Sequence, residues 1–371
     1  MSAKLRVFMT TDAVGGVWQY SIDLCRSLCA QDVEVGLAIL GPPPGPTQLL
    51  AAEAIAGLTL IETGEDLDWI AADGAQVEAS AEHIAELAAS YEAQIVHLNS
   101  PALAAAVDFH APTLAVSHSC VGTWWRATRA GPLPNDLAWR DRLHRLGLQR
   151  ADMVLTPSHS FAAATHAHHG LRHSPRVVHN GRVELPLAKA AMHDFAFTAG
   201  RLWDSGKNVA VLDRAAGRLT IPFKAAGACI APHGEAISFD HLHRLGQLDE
   251  ATLGRYLAAR PVFVSAARYE PFGLAVLEAA SAGCALVLSD IPTFRELWDG
   301  VAHFVDPDDE AGFAEAIETL IGDAALRLSR GEEARRHARR YSAAATGEAT
   351  MSAYRTLLQT RSANRLARAC G

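Results

Sequence analysis

Two glutamates, Glu270 and Glu278, lie on either side of Gly273, where an apolar segment gives way to a helical pattern. Residues 261–267 form the kind of short, partly β-branched apolar run that is buried on both faces of a parallel sheet. A helix beginning near Gly273 would direct its first free N–H groups and its positive dipole end out of the carboxyl edge of that sheet, which suits a phosphate. Carboxylates near a phosphate are costly unless they accept hydrogen bonds from ligand hydroxyls. The pattern therefore favours a nucleotide ribose and a sugar over two solvated surface acids.

Two further motifs could contact an anion. Arg201 and Lys207 follow a short apolar strand and flank a glycine turn, so both cations can converge on one anion and stabilise negative charge that develops on it. Gly15 and Gly16 follow the first predicted strand and precede a helix beginning near Trp18, where missing side chains let backbone N–H groups approach a phosphate. Solvated surface turns are the alternative in both places. The first strand is not followed by Gly-x-Gly-x-x-Gly, which argues against a dinucleotide dehydrogenase.

The length and composition of the chain limit how many domains it has and what kind of protein it is. A chain of 371 residues exceeds the size at which one hydrophobic core usually keeps growing, so two domains are expected. A hydrophobic content of 49% is ordinary for a globular protein, and the net charge of −8 argues against binding to nucleic acid. No apolar run reaches the roughly 18 residues that cross a bilayer, and the first strand is too short for a signal peptide's core. We therefore expect a cytoplasmic protein.

Candidate metal ligands are scattered along the chain. The six cysteines are interpreted as reduced core thiols, because no second pair joins Cys25 and Cys29 to complete a tetrahedral site. Four histidines cluster at His166, His168, His169 and His173. No carboxylate or cysteine accompanies them in the sequence, and the segment is typical of an exposed helix end. No metal site is predicted there.

Short apolar strands alternate with helical stretches along most of the chain, the pattern of doubly wound α/β domains. In the first half, strands are predicted at Leu5–Met9, Val33–Leu40, Leu58–Glu62, Ile95–Leu98, Thr113–Ser117, Met153–Thr156 and Arg176–His179. In the second half they are predicted at Phe195–Ala199, Ala226–Ala231, Val262–Val264, Ala285–Leu288 and His303–Val305. The helix after Gly273 is predicted to end at Gly283, and the alternation breaks near residues 181–193, around Pro186.

The segment Glu270–Glu278, with Pro-Phe-Gly-Leu between the glutamates, resembles the signature of retaining glycosyltransferases of the GT-B fold, family 4. Three further segments resemble motifs of that family: Thr11–Val17 its N-terminal Gly-Gly loop, Val178–Gly181 its strand-ending Asn-Gly, and Phe197–Asn208 its Gly-Arg…Lys segment. These motifs follow the family's order across nearly the whole chain.

The resemblance implies an α/β, GT-B architecture of two facing Rossmann-like domains with an interdomain cleft. An N-terminal acceptor-side domain is expected over residues 1–183 and a nucleotide-sugar-binding domain over residues 184–343. A C-terminal helix within residues 344–371 is expected to pack back on the N-terminal domain. The implied reaction transfers a sugar from a nucleotide-diphosphate donor to a hydroxyl of a glycan, lipid-linked or small-molecule acceptor, with the anomeric configuration retained.

The resemblance also assigns roles to residues. The donor-binding residues would be Gly15, Gly16, Arg201, Lys207, Phe272, Gly273, Leu274 and Glu278. The residues beside the reacting groups would be Glu270, His118, Arg201 and Lys207. Glu278 would bind the ribose hydroxyls, and Glu270 would bind the hydroxyls of the donor sugar. His118, at the end of its strand, would contact the same sugar. His97, which ends another strand, ranks below His118.

No metal or cofactor is expected if Arg201, Lys207 and the helix at Gly273 together neutralise the diphosphate. The donor's base is left open between uridine and guanosine, so UDP- and GDP-sugars are both candidates. Residues 224–234 depart from the family's usual Gly-x-Gly ending of the second strand, which would alter the base pocket.

A segment containing Trp124, Trp125 and Arg126 combines aromatic and basic side chains. Together with Trp18, it is assigned to the acceptor side. Such a segment also suits peripheral contact with the inner face of an anionic membrane, or simply packing between helices.

Three alternatives to a transferase are retained. A nucleotide-sugar-binding protein without transfer activity would keep Arg201 and Glu278 but could lose Glu270 or the Gly-Gly loop. A nucleotide-sugar epimerase of related fold would interconvert donors without an acceptor, and a membrane scaffold would depend on the Trp/Arg segment alone. The presence of all four donor-site features favours an enzyme, whose donor sugar, acceptor, linkage and oligomeric state the sequence does not name.

Overall fold

The computed structural model describes residues 4–185, 187, 190–231, 234 and 236–370. The chain divides into two compact units. The first unit comprises Met1–Arg126, Gly131–Gly181 and Ala343–Gly371, and the second comprises Ala127–Ala130 and Arg182–Ser342. Pro186, Pro232 and His233, which belong to segments discussed above, lie outside the described residues.

The described part of the first unit contains a seven-stranded parallel sheet in the order β3-β2-β1-β4-β5-β6-β7. Its strands are β1 Leu5–Asp12, β2 Val33–Leu40, β3 Leu58–Glu62, β4 Ile95–Leu98, β5 Thr113–Val116, β6 Met153–Thr156 and β7 Arg176–Val177. The helices between them are α1 Gly16–Cys29, α2 Pro46–Glu53, α3 Gly74–Ser90, α4 Val121–Thr128, α5 Asn135–Arg150 and α6 His159–His169, with a 3-10 turn at Pro101–Ala105.

The described part of the second unit contains a six-stranded parallel sheet in the order β10-β9-β8-β11-β12-β13. Its strands are β8 Ala196–Ala199, β9 Phe223–Ala226, β10 His243–Gly246, β11 Val262–Ser265, β12 Ala285–Ser289 and β13 His303–Val305. Its helices are α7 Val209–Ala216, α8 Glu250–Ala258, α9 Leu274–Ser281, α10 Pro292–Trp298, α11 Glu310–Gly322 and α12 Ala324–Ala338, with a 3-10 turn at Ser205–Lys207. The last helix, α13 Ala343–Cys370, belongs to the first unit.

The apolar strands form the cores of both units, because helices cover both faces of each parallel sheet. In the first unit, α13 packs against α1, and its Tyr354 is fully buried. In the second unit, Phe263 of β11 and Trp298 of α10 are buried in one cluster. The prediction of two Rossmann-like parallel-sheet domains is confirmed.

The largest strand error falls in the second sheet. A strand was predicted at Ala226–Ala231, but β9 runs from Phe223 to Ala226. β9 ends at Ala226, because Gly227 has a φ of +138°, outside the range of an extended strand. The small Ala and Gly residues around this point give no clear signal for where the strand begins or ends. The sequence also gave no sign of β10, a mostly exposed edge strand that lacks alternating apolar residues.

Smaller differences occur at strand ends. β1 extends three residues beyond its predicted end, to Asp12, and β7 stops at Val177. No described helix is both long enough and apolar enough to cross a bilayer.

Candidate active site

The junction between β11 and α9 has the predicted geometry. Gly273 precedes the helix with a φ of +95°, a left-handed conformation that favours glycine, and α9 begins at Leu274. At the other end Gly283 has a φ of +80°, and its N–H donates to Ala280 O at 2.9 Å. The predicted helix start and end are therefore confirmed, and the free N–H groups of the first turn follow the loop that carries Glu270.

Lys207 and Glu270 form an ion pair in this unit. Their side chains are only 23% and 14% exposed, so the pair is shielded from solvent more than an ordinary surface pair. The two loops that carry them are also joined by backbone hydrogen bonds, because the N–H groups of Arg268 and Tyr269 donate to Gly206 O at 2.9 and 3.2 Å. The structure thus brings a cation, a carboxylate and the start of α9 together.

Arg201 is held beside the same turn. Its Nη2 donates to Asp204 Oδ2 at 3.0 Å, and its guanidinium lies 5.6 Å from the ring centre of Trp203. Asp204 in turn accepts a hydrogen bond from the backbone N–H of Gly206 at 2.8 Å, which fixes the turn that precedes Lys207. The side chain of Arg201 is 46% exposed, so it can reach a ligand in solution.

Two glycines let the ends of β8 and β9 approach each other. A Cβ on Gly227 would lie 1.7 Å from the carbonyl oxygen of Gly200, a distance that no real side chain tolerates. Beside Gly200 is a pocket with an empty volume of about 340 Å³, part of it open to solvent. Its lining includes Thr198, Gly200, Lys207, Ser265, Glu270 and Val276.

Glu278 lies one turn into α9, as expected, but it is engaged by a residue that sequence reasoning did not select. Arg182 Nε donates to Glu278 Oε1 at 2.9 Å, and Arg182 Nη2 donates to Glu250 Oε1 at 3.2 Å. The arginine side chain is only 5% exposed, so its charge depends on these carboxylates. Arg182 directly follows the Asn-Gly motif, which was the only available signal.

Phe272 and Leu274 were both predicted to bind the donor. The ring of Phe272 is buried and packs edge-on against Tyr341, with ring centres 5.6 Å apart. Its contact with a ligand is therefore limited to the backbone. Leu274 is partly exposed at the first position of α9.

The glycine loop of the first unit is open. Gly15 and Gly16 are exposed, α1 begins at Gly16, and a Cβ on Gly15 would meet nothing within 4 Å. Asp12 stabilises the turn by accepting a hydrogen bond from the N–H of Val14 at 2.9 Å. Trp18, by contrast, is 4% exposed and packs in the core, so the prediction that it contacts an acceptor is corrected: its ring lies in an apolar cluster formed by the sheet and the helices packed on it.

His118 lies just beyond β5 and is positioned by Asn99 at the end of β4. The amide nitrogen of Asn99 donates to Thr10 O at 2.8 Å, which leaves its Oδ1 to accept from His118 Nε2 at 2.8 Å. The ring of His118 also packs edge-on against Tyr20 at 4.6 Å. Burial lowers the pKa of His118 to about 4, so the imidazole is neutral at pH 7 and its Nδ1 can accept a hydrogen bond.

His97 differs from its neighbour in the sheet. Its side chain is fully buried, and Nδ1 lies 2.6 Å from the hydroxyl of Tyr354. The ring of His97 therefore lies in the core of the first unit.

The Trp/Arg segment forms α4. The rings of Trp124 and Trp125 are partly exposed, with centres 6.2 Å apart, and Arg126 is exposed. Trp125 Nε1 donates to Gly131 O at 3.2 Å, which ties the helix to the following loop. These side chains are accessible to a ligand, unlike Trp18.

The histidine-rich end of α6 is not an exposed helix end. His169 is 3% exposed, and both a carboxylate, Asp141, and a thiol, Cys120, lie beside the histidines in the folded unit. The expectation that no such ligand accompanies them is therefore wrong, because these partners come from α5 and from the loop before α4.

The fold and these motifs define a glycosyltransferase of the GT-B class. Residues 14–182 match the family described as Glycosyltransferase Family 4, and residues 193–323 match the family described as Glycosyl transferases group 1. The chain belongs to the family 4 type of GT-B glycosyltransferases.

Relatives and solved structures agree with this family. A phosphatidyl-myo-inositol mannosyltransferase from Mycolicibacterium smegmatis is 31% identical over 169 residues, which are 43% of this chain and 44% of that protein. The match thus spans less than half the length of that curated relative. Sucrose-phosphate synthase from Thermosynechococcus elongatus superimposes with a TM-score of 0.76 at 18% identity, over 96% of this chain and 100% of that one. HepE from Anabaena, solved with UDP and glucose, superimposes with a TM-score of 0.70 at 15% identity, over 95% of this chain and 99% of that one. These two likenesses concern the fold.

Proposed function

We propose that this protein is a retaining glycosyltransferase that moves a sugar from a nucleotide-diphosphate donor to an acceptor hydroxyl without a catalytic metal. One observation carries the proposal: the Lys207–Glu270 ion pair lies at the start of α9 and lines a pocket. A cation, helix N–H groups and a hydroxyl-accepting carboxylate are the groups that a sugar diphosphate requires.

The diphosphate would be neutralised by Lys207, Arg201 and the first turn of α9. Charge develops on the departing diphosphate in the transition state, so fixed cations aimed at it lower the barrier. The ion pair has a clear function before the donor binds, since Glu270 balances the charge of Lys207 in a partly buried site. When the donor arrives, its phosphate competes for Lys207 and frees Glu270 to accept hydrogen bonds from sugar hydroxyls.

In this proposal His118 contacts the transferred sugar. Its neutral ring donates through Nε2 to Asn99, so Nδ1 is the atom that accepts from a sugar hydroxyl. The departing phosphate assists deprotonation of the acceptor on the same face of the sugar, which retains the anomeric configuration. Glu270 is therefore not assigned as a general base.

The donor and acceptor are proposed only as classes. Curated relatives are named as a phosphatidyl-myo-inositol mannosyltransferase and as a glycogen synthase, and HepE was solved with UDP. UDP- and GDP-sugars are both proposed as donors, with a lipid-linked, glycan or small-molecule acceptor. The accessible Trp124, Trp125 and Arg126 support an acceptor role for α4.

The test begins with isothermal titration of the purified protein against UDP, GDP and a panel of their sugars, without added divalent cations. The donor that binds is then incubated with candidate acceptors, and the anomeric proton of the product is followed by NMR from the earliest time point. We expect micromolar donor binding, nucleotide release that depends on acceptor, and a product with the donor's anomeric configuration.

Other outcomes would separate the alternatives. Conversion of one nucleotide sugar to another without acceptor would identify an epimerase, and tight binding without turnover across the acceptor panel would favour a binding protein. An inverted first product, or a strict requirement for Mg²⁺ or Mn²⁺, would contradict the proposed mechanism. Arg201→Ala should weaken donor binding, while Arg214→Ala removes an exposed ion pair with Glu310 in the same unit and serves as the matched control.

A further inference from the structure

The first unit contains a buried cluster of metal-ligating side chains that the transfer reaction does not use. Cys120 precedes α4, His144 lies on α5 and His169 ends α6. All three are buried, and one ligand atom from each lies within 4.8 Å of the others. Residues that are separated by 24 and 25 positions in sequence are thus brought to one point by the fold.

His169 is the clearest sign that this point has a missing ligand. It is 3% exposed, and neither Nδ1 nor Nε2 has a hydrogen-bond partner. A buried imidazole must bury one N–H donor and one lone pair, and leaving both unsatisfied costs free energy. Its ring stacks on His144, with centres 5.3 Å apart, so packing alone fixes its place. A metal bound to one nitrogen would account for part of this unpaired capacity.

The side chains around the cluster are arranged as outer partners of a metal site. Ser117 Oγ lies 3.0 Å from His144 Nε2 and fixes that ring. Thr123 approaches the sulfur of Cys120 through its hydroxyl at 2.9 Å and its N–H at 3.3 Å, contacts that would stabilise a thiolate. Outer hydrogen bonds of this kind orient the ligands of metal sites.

The charge balance of the cluster also fits a divalent cation. Asp141 Oδ1 lies 2.9 Å from His168 Nε2, and the His168 ring is 4.6 Å from that of His169. Asp141, His168 and His169 form a second trio whose ligand atoms lie within 4.8 Å of one another. One thiolate and one carboxylate together balance the two positive charges of the ion, so the buried site as a whole would be neutral.

Gly122 shows that the start of α4 is packed tightly against this second trio. A Cβ at this position would lie 2.0 Å from His168 Nε2 and 2.1 Å from Asp141 Oδ1. A larger residue there would displace both side chains, so glycine allows the first turn of α4 to approach α5 and α6 this closely.

We propose that Cys120, His144 and His169 bind a structural zinc ion, with Asp141 or a water molecule in the fourth position. A thiolate with two imidazoles is a ligand set that zinc prefers, and four-coordinate zinc accepts it without a demand on d-electron geometry. The ion would join α4, which carries Trp124 and Trp125, to α5 and α6. It does not take part in sugar transfer, and its existence is independent of the proposed function.

The test measures zinc directly. The purified protein is treated with a chelator, dialysed against buffered zinc, and analysed for metal per chain by mass spectrometry. We expect about one zinc per chain, and a loss of affinity greater than about 100-fold in Cys120→Ser and in His169→Gln, beyond the usual effect of losing an outer partner. The controls are Cys229→Ser, a partly exposed thiol of the second unit, and His173→Gln, an exposed histidine four residues from His169. Both should bind zinc like the unaltered chain.

A second measurement uses cobalt on the unaltered protein, so it does not depend on whether a variant folds. Co²⁺ added to the unaltered protein should give the visible bands of a tetrahedral site together with a thiolate-to-cobalt charge-transfer band. Substoichiometric zinc, a cobalt spectrum without the thiolate band, or equal zinc affinity in Cys120→Ser and Cys229→Ser would each overturn the proposal.

Discussion

The candidate residues of the two units differ in how their charge is handled. In the second unit, Lys207 is paired with a carboxylate on a neighbouring loop, Glu270, and Arg201 with a carboxylate of its own turn, Asp204. In the first unit, His118 is neutral and is fixed by a hydrogen bond to an amide, and the glycine turn of the same unit is open. Paired charges suit a ligand that is itself charged and can replace one partner, whereas neutral directional groups suit sugar hydroxyls. This difference predicts that substitutions will affect activity and stability differently in the two units, and that the units will lose stability at different pH values.

The largest effect is expected from Lys207→Ala. Removing a fixed cation that faces the departing diphosphate should lower kcat/KM for the donor by about 100-fold to 1000-fold, because transition-state charge is then less stabilised. Steady-state kinetics with the donor identified by titration measure this effect. Arg214→Ala, which removes an exposed cation paired with Glu310 in the same unit, should leave the ratio near that of the unaltered chain. An equal loss in both variants would refute a special role for Lys207.

Arg182→Met is expected to lower the free energy of unfolding. This change leaves Glu278 without its arginine partner in a site where the arginine was 5% exposed, and breaking a buried ion pair in this way costs about 3 kcal/mol. Urea unfolding followed by hydrogen exchange of the second unit's peptides would measure it. Arg295→Met breaks an exposed pair with Asp290 and should destabilise the unit far less, because solvent screens that pair. Similar losses from both changes would mean that burial of the pair is unimportant.

Mild acid should weaken the first unit before the second. Burial, with a smaller contribution from the nearby His118, lowers the pKa of His97 to about 3, against an ordinary value of 6.5. The folded form therefore binds fewer protons, so the stability contributed by neutral His97 is complete above pH 6.5 and is lost as pH falls below it. Between pH 7 and pH 5 the loss is about 2 kcal/mol for such a histidine.

The second unit should respond at lower pH. Although burial raises it, the pKa of Asp213 is lowered overall by three backbone N–H groups that donate to its carboxylate. Its contribution is present above its ordinary pKa and is lost only as pH falls through the lower folded value. Hydrogen exchange at pH 7 and pH 5 would compare the units, and greater loss of protection in the second unit at pH 5 would contradict this order. His337, whose pKa is lowered by burial, makes the expected difference between units smaller but not reversed.

The smallest effect is expected from Asn99→Ala. Loss of the hydrogen bond to His118 should lower kcat about tenfold, the effect of one hydrogen bond, while the affinity for the free nucleotide stays the same. His118→Ala should lower kcat at least as much, and the double variant should resemble His118→Ala because Asn99 acts through the histidine. Additive losses would show that Asn99 acts independently.

The sequence predicted the elements that have strong local signals. Gly273 and Gly283 mark the two ends of α9, because glycine is the residue that most readily adopts the left-handed conformation found at both positions. The apolar, β-branched sequence of β11 is enough to predict a buried strand. β10 was missed because an exposed edge strand has no apolar alternation. Trp18 was misassigned because the sequence places a tryptophan beside a glycine loop without showing which face of α1 is buried.

The sequence by itself determined two parallel α/β folds, their family motifs and the glycine-marked start of α9, because each depends on residues close together in the chain. Only the tertiary structure decided that Arg182 pairs with Glu278 and that Cys120, His144 and His169 meet. These contacts join residues that are 24 or more positions apart, and no local propensity or spacing encodes them. They arise when helices and loops pack around each sheet and bring residues that are distant in the chain into contact.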